Sequence, residues 1–209
     1  MATNTKLRFV EAERHLSRVD PVMKHIITQV GHCGLQKNDD TFYVLCDSII
    51  SQQLSVKASA TILQRFCGLF PNNNPTPERL KALPDDEVRA VGCSQAKVRY
   101  LKDLAEKFLD GTLQPNTFGI LSDEELIETL VQVKGIGRWT AEMYLIASLN
   151  RPDVLAVDDL GLRKAMMELY KLPNLPKPEQ MHEIAEVWKP FRSVASWYLW
   201  HHHDNRATK

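Results

Sequence analysis

The stretch Val131-Gln132-Val133-Lys134-Gly135-Ile136-Gly137-Arg138-Trp139-Thr140-Ala141 joins two segments of apolar helical period through a Gly-Ile-Gly turn. Ahead of it, Ser122 with Glu125 three residues later makes a capping box, and Leu126, Leu130 and Val133 recur at helical spacing. Beyond it, Trp139, Met143, Ile146 and Ala147 resume the period. Together these features read as a helix-hairpin-helix. Gly135 and Gly137 permit positive φ and close backbone approach, so the amides of the turn and of the next helix's first residues can point outward together. Such a cluster is an anion site, and phosphate is its natural guest. An ordinary αα-hairpin that needs glycine only to turn is the alternative.

The chain has 209 residues, 44% of them hydrophobic, which suffices for one domain or two small lobes. Lys plus Arg and Asp plus Glu number 26 each, so the formal charge is zero. This argues against a broad nonspecific nucleic-acid coat, whereas a compact footprint needs only local phosphate contacts. Lys134, Arg138, Arg163 and Lys164 flank the hairpin region, while Asp85, Asp86 and Glu87, like Asp123, Glu124 and Glu125, fall at helix starts that favour negative charge.

Cys33, Cys46, Cys67 and Cys93 lack a Cys-x-x-Cys pair or a zinc or iron–sulfur spacing, and are expected to be reduced, buried thiols. No apolar run follows Met1-Ala2-Thr3-Asn4-Thr5-Lys6, and none approaches membrane-spanning length. A soluble protein is expected, without membrane partner, cofactor or metal. Its expected location is the cytoplasm (nucleoid-associated) of a bacterium, or the nucleus if eukaryotic. His201-His202-His203 reads as an exposed terminal tract, because three consecutive residues cannot share one helical face.

In order along the chain, helices are expected from Asp20-Pro21 to Gly31, after a cap at Asp40, and after a cap at Ser55 that follows the break Ser51-Gln52-Gln53-Leu54. Others are expected over Pro77–Leu83 and Asp85–Val91, and from Ser94 to Gly111. No strand alternation appears, so the fold class is all-α. Past the hairpin, the apolar approach Val154-Leu155-Ala156-Val157 leads to Asp158-Asp159, after which Leu160, Leu162, Ala165, Met166 and Leu169 restart a helix. One cap needs only one carboxylate. The second sits near a positive helix end, where it can stabilise a cationic transition state or activate water.

Gly135-Ile136-Gly137-Arg138-Trp139-Thr140-Ala141 followed by Val157-Asp158-Asp159 resembles the helix-hairpin-helix superfamily of DNA glycosylases, specifically the 3-methyladenine DNA glycosylase II (AlkA-type) branch. Ile50-Ser51-Gln52-Gln53-Leu54-Ser55-Val56, Pro75-Thr76-Pro77 with Arg79-Leu80, Gly92 with Lys97, and Trp188-Lys189-Pro190-Phe191-Arg192-Ser193 with Trp200 resemble further family segments in order. No counterpart of the branch's N-terminal β domain is expected.

The resemblance implies two helical lobes with a DNA-binding cleft between them: residues 1–39 packing with the C-terminal lobe, a middle lobe over 40–133, and the hairpin turn, catalytic aspartate and C-terminal lobe over 134–209. It implies that Asp159 is the catalytic carboxylate and Asp158 a supporting, capping or positioning neighbour. Lys134, Gly135, Ile136, Gly137, Arg138 and Thr140 form the DNA-binding turn. Trp139, standing where strand-cleaving members carry lysine, implies a monofunctional enzyme. Trp139, Trp200 and Met143 line the base pocket, Met143 replacing a residue often aromatic in the branch. Gln53 or Leu54 is the wedge that fills the gap left by an extruded nucleotide. Trp188 reads as core, Trp197 as core or cleft, Tyr198 as packing, and Arg192 as a partner of either phosphate or carboxylate.

The expected activity is excision of alkylated purines from double-stranded DNA by a monomer. A positively charged N-alkylpurine already has a weak glycosidic bond, so an aromatic pocket and a nearby anion suffice once the base is flipped out. The alternatives are a glycosylase for oxidised or deaminated bases and a noncatalytic helix-hairpin-helix module.

Overall fold

The computed structural model describes residues 2–207, with side chains from 8 to 203; Met1, Thr208 and Lys209 lie outside the description. Among the described residues the elements are twelve α-helices and three short 3-10 turns, with no strands. The helices are α1 (Ala2–Val19), α2 (Pro21–Val30), α3 (Thr41–Ser51), α4 (Val56–Cys67), α5 (Pro77–Ala82), α6 (Asp85–Ala90), α7 (Gln95–Leu109), α8 (Asp123–Leu130), α9 (Arg138–Ala147), α10 (Leu160–Leu169), α11 (Pro178–Ala185) and α12 (Arg192–Ala207). None is long and apolar enough to cross a membrane.

Most helix starts are set by side chains that accept orphan amides. Asp40 accepts from Tyr43, Ser55 from Ala58, Ser94 from Lys97 and Thr76 from Arg79. Ser122 and Glu125 complete the capping box in both directions. The N-terminal segment is helical as expected, but the start of α1 is marked by neither Pro nor Gly, and among its residues described with side chains Ala12 and Leu16 are fully buried.

The chain divides into two compact units, residues 1–37 with 145–209, and residues 38–144. The hairpin turn, grouped by the sequence reading with the C-terminal lobe, lies in the second unit. Its bonds explain the placement. Gln52 Nε2 donates to the Gly135 carbonyl (2.8 Å), and the Lys134 amide donates to Asp103 (2.8 Å).

In the first unit α12 packs against α2 and α10, and α1 against α2. Its core includes Leu16, Met23, Ile26, Leu162, Met166, Trp188 and Leu199. Two buried carboxylates organise it. Asp20 Oδ1 accepts the Val22 and Met23 amides (2.8 and 3.2 Å), while Oδ2 accepts the Tyr170 hydroxyl (2.6 Å) and the Trp188 indole N–H (2.8 Å). Burial, then the bond to Asp20, pushes the Tyr170 hydroxyl well above the ordinary phenol range. Glu13 accepts the Cys33 amide (2.8 Å) and the Tyr198 hydroxyl (3.0 Å), so Tyr198 is core with a satisfied polar end. Cys46, Cys67 and Cys93 are buried as expected, but Cys33 is only half-buried.

His201, His202 and His203 are not a separate tract. They continue α12, where His201 stacks on Trp197 (5.1 Å between centroids, 13° between planes) and His203 Nδ1 lies 3.8 Å from Glu168.

In the second unit α7 packs against α3, α5 and α6. Two of its lysines close helix C-termini, where cations complement the exposed carbonyls. Lys102 donates to the carbonyls of Leu80 (2.8 Å), Lys81 (3.2 Å) and Leu83, and Lys97 donates to those of Ile50 (2.7 Å) and Gln52 (2.9 Å).

Asp20→Ala would leave the Tyr170 and Trp188 donors buried without an acceptor and remove a cap. Urea unfolding is expected to register a loss of about 3–5 kcal/mol, with Asp20→Asn, which keeps one acceptor oxygen, losing less.

Candidate functional site

The hairpin of the second unit runs from α8 through residues 131–137 into α9. The Ile136 amide bonds back to the Val133 carbonyl (3.0 Å), and Ile136 and Val133 are buried, which pins the turn. Its two glycines have different roles. Gly135 has φ +86°, and a Cβ there would stand 2.3–2.7 Å from the Tyr100 ring, so both conformation and packing require glycine. Gly137 lies outside the left-handed region, so of the two glycines Gly135 is the one that uses the positive φ glycine permits. A Cβ at Gly137 would meet nothing within 4 Å. Its bareness keeps the backbone approachable at the start of α9, whose first amides have no acceptor within the helix. Thr140 and Ile136 are buried, and the Ile136 amide is spent on Val133, so in a DNA-binding role Thr140 acts through its backbone amide and Ile136 by pinning the turn.

The cations of the hairpin are paired within the second unit. Arg138 forks onto Glu124 (2.6 and 2.7 Å) and donates Nε to Glu142 (3.0 Å); Lys134 Nζ lies 3.1 Å from Asp103. The bond from Arg138 holds the Glu124 carboxyl below its usual range. With its cations paired, what the turn can offer an anion is oriented amides more than net positive charge.

The loop after α3 presents the two wedge candidates. Gln52 is tied to Gly135, and Lys97 holds its carbonyl, which leaves Gln53 exposed with φ +57°, a conformation uncommon for a non-glycine residue. Leu54 beside it is 39% exposed and Val56 is 87% exposed. Nothing in the periodicity of the sequence marks Gln52, Lys97 or Tyr100 as supports of the turn and the loop. Trp139, at the second position of α9, is 43% exposed, and Met143 one turn on is half-buried.

In the first unit, Asp159 caps α10. Its Oδ1 accepts the Leu162 amide (2.6 Å) and the Trp200 indole N–H (2.8 Å). The cap is thus Asp159 itself and not Asp158, which is exposed. Leu160, read as part of the apolar face, is 51% exposed beside it. The approach loop is clamped by the start of α12. Arg192 donates twice to the Asp153 carboxylate (2.7 and 3.0 Å), and Ser193 Oγ accepts the Val154 amide (2.9 Å). Arg192 is therefore a carboxylate partner. Trp188 is fully buried, as expected.

The profile of HhH-GPD superfamily base excision DNA repair proteins matches residues 46–190. The chain belongs to the HhH-GPD superfamily. That span includes the hairpin, Asp159 and the Trp-Lys-Pro segment. The DNA-3-methyladenine glycosylase 1 of Schizosaccharomyces pombe is 40% identical over 195 residues, 91% of this chain and 86% of that protein. Among solved structures, S. pombe 3-methyladenine DNA glycosylase in complex with abasic DNA superposes with a TM-score of 0.80 at 40% identity, covering 91% of this chain and 95% of that one. A DNA-3-methyladenine glycosidase from Bacillus halodurans gives 0.84 at 31% identity, covering 93% and 89%. The family and the all-helical fold expected from the sequence are those found.

Two outcomes follow for DNA binding by this HhH-GPD protein. Gly137→Ala is expected to weaken binding to duplex DNA without lowering the melting temperature or changing lesion preference, whereas Gly135→Ala lowers both affinity and melting temperature through Tyr100. Fluorescence anisotropy with thermal melts separates them, and unchanged affinity in Gly137→Ala counts against the amide site. Glu124→Gln weakens the fork that engages the two terminal nitrogens of Arg138 while leaving its Nε on Glu142, so log Kd against log salt should steepen by about one phosphate contact.

Proposed function

We propose that the chain is a monofunctional DNA glycosylase of base excision repair, which flips alkylated purines of the 3-methyladenine type out of duplex DNA and hydrolyses the N-glycosidic bond to leave an abasic site. The observation that carries this reading is Asp159, a carboxylate whose Oδ1 accepts the Leu162 amide and the Trp200 indole N–H at the N-terminus of α10, in a chain whose hairpin offers an amide cluster for phosphate. A passive DNA clamp needs no such carboxylate. The 40% identical relative, which carries the name of this activity, supports the same reading.

Extruding a base costs a few kcal/mol, least where alkylation has already weakened its pairing. The amides near Gly135 and Gly137 hold a backbone phosphate and set register without reading sequence. Gln53, raised on its left-handed backbone, or Leu54 fills the vacated stack. Trp139 offers an exposed face to a cationic purine, an attraction of about 0.5–2 kcal/mol, with Trp200 and Met143 as the further pocket residues. The cationic base leaves with the electrons of its glycosidic bond, and Asp159 stabilises the oxocarbenium-like sugar and takes a proton from the attacking water. With tryptophan rather than lysine at 139, no amine stands ready there to form a Schiff base. Asp158 supports the loop, and double-stranded DNA is the partner of a monomeric enzyme.

Asp159→Asn keeps the Oδ1 acceptor for Leu162 and Trp200 while removing the charge. On methylated duplex DNA it is expected to lower abasic-site formation by about a hundredfold or more while retaining affinity for abasic-site DNA. Borohydride should trap no covalent adduct with the unmodified enzyme. Equal base release by both proteins, or DNA binding with no release by either, overturns the catalytic assignment.

A further inference from the structure

Oδ1 of Asp159 receives two donors of different origin. One, the Leu162 amide at 2.6 Å, comes with the helix and would be met by any capping side chain. The other, the Trp200 indole N–H at 2.8 Å, reaches across from α12, 41 residues on in sequence. Indole has a single donor, and here it is spent on the carboxylate rather than on solvent or backbone. Beneath the pair lies Gly161. Its φ is outside the left-handed region, so backbone conformation does not demand glycine, yet a Cβ would stand 3.2 Å from Asp159 Oδ1, 3.6 Å from Trp200 Cδ1 and 3.8 Å from Trp200 Nε1. Neither φ nor a turn demands glycine at this first-turn position, and what sits on its bare Cα is the Asp159–Trp200 pair.

We propose that Trp200 is a positioning residue for the reaction: its N–H fixes the orientation of the Asp159 carboxylate over the bare backbone of Gly161, separately from any contact its ring face makes with a base. The proposal rests on the reading of Asp159 as the catalytic carboxylate. A cap bond alone leaves the carboxylate free to turn about its Cβ–Cγ bond; a second donor on the same oxygen from another helix removes that freedom, which is how supporting groups hold a reacting group in place. Because the N–H lies in the ring plane, the same indole can hold the carboxylate with its edge and present a face elsewhere.

The test uses single-turnover base release from duplex DNA carrying an N-methylated purine, together with affinity for duplex DNA carrying an uncleavable abasic analogue. Trp200→Phe keeps an aromatic face and deletes the donor. It is expected to slow release by roughly ten- to a hundredfold, the worth of a hydrogen bond to a charged group, with affinity for the abasic analogue unchanged. Gly161→Ala keeps both donors and the ring but crowds the carboxylate, and is expected to give the same pattern with an unchanged melting temperature. Because both changes act through one carboxylate, the double variant should be little slower than the slower single one. Should Trp200→Phe melt early, Gly161→Ala carries the test. Release at the unmodified rate in either variant, a loss of affinity that accounts for the loss of rate, or multiplying effects in the double variant overturns the proposal. Asp159→Asn in parallel separates the two readings: if it remains active the catalytic assignment falls, and if it is inactive while Trp200→Phe and Gly161→Ala are not, only the positioning role falls.

Discussion

The helix that carries Asp159 is held at both ends by aspartates. At its start, Asp159 accepts the amide of Leu162; at its end, Tyr170 donates to Asp20, a buried carboxylate that also caps α2 and receives the Trp188 indole. A buried carboxylate is tolerable only when its oxygens are fully engaged, and Asp20 meets that condition with four donors from three parts of the chain. The first unit's core closes around these bonds, which join the N-terminal helices to the elements that present the proposed catalytic residue.

The hairpin of the second unit works by a different economy. Its cations are already answered by Glu124, Glu142 and Asp103, in keeping with a chain of zero net charge, so the proposed recognition of phosphate falls to backbone amides beside the bare Gly137, in a turn that Gly135 shapes against Tyr100. Amide clusters impose geometry where lysines impose only attraction, which suits a protein that must register one nucleotide rather than coat a duplex. Gln52 and Lys97 tie that same turn to the loop bearing Gln53, so the proposed phosphate anchor and the proposed wedge are joined by hydrogen bonds within the unit.

Much of this was legible locally. Capping residues announce themselves because the unpaired amides of a helix start can be met by a side chain a few residues away. Asp20, Asp40, Ser55, Ser94 and Ser122 therefore marked their helices correctly. The helix-hairpin-helix and the aspartate pair, read with the Trp-Lys-Pro segment, identified the family for the same reason: their chemistry depends on short-range spacing. The extent of α1 is not marked locally, because it packs through a few residues such as Ala12 and Leu16, which leave a weak pattern in a polar stretch.

By itself, then, the sequence determined an all-helical chain, the glycine-bearing hairpin turn and the carboxylate at a helix start, since each is written within a few consecutive residues. Only the tertiary structure decided which aspartate caps α10, that Arg192 serves Asp153, that Gly135 answers to Tyr100, and that Trp200 reaches Asp159. These are contacts between residues tens of positions apart, and no local period or spacing encodes them, because they exist only once separate helices have packed.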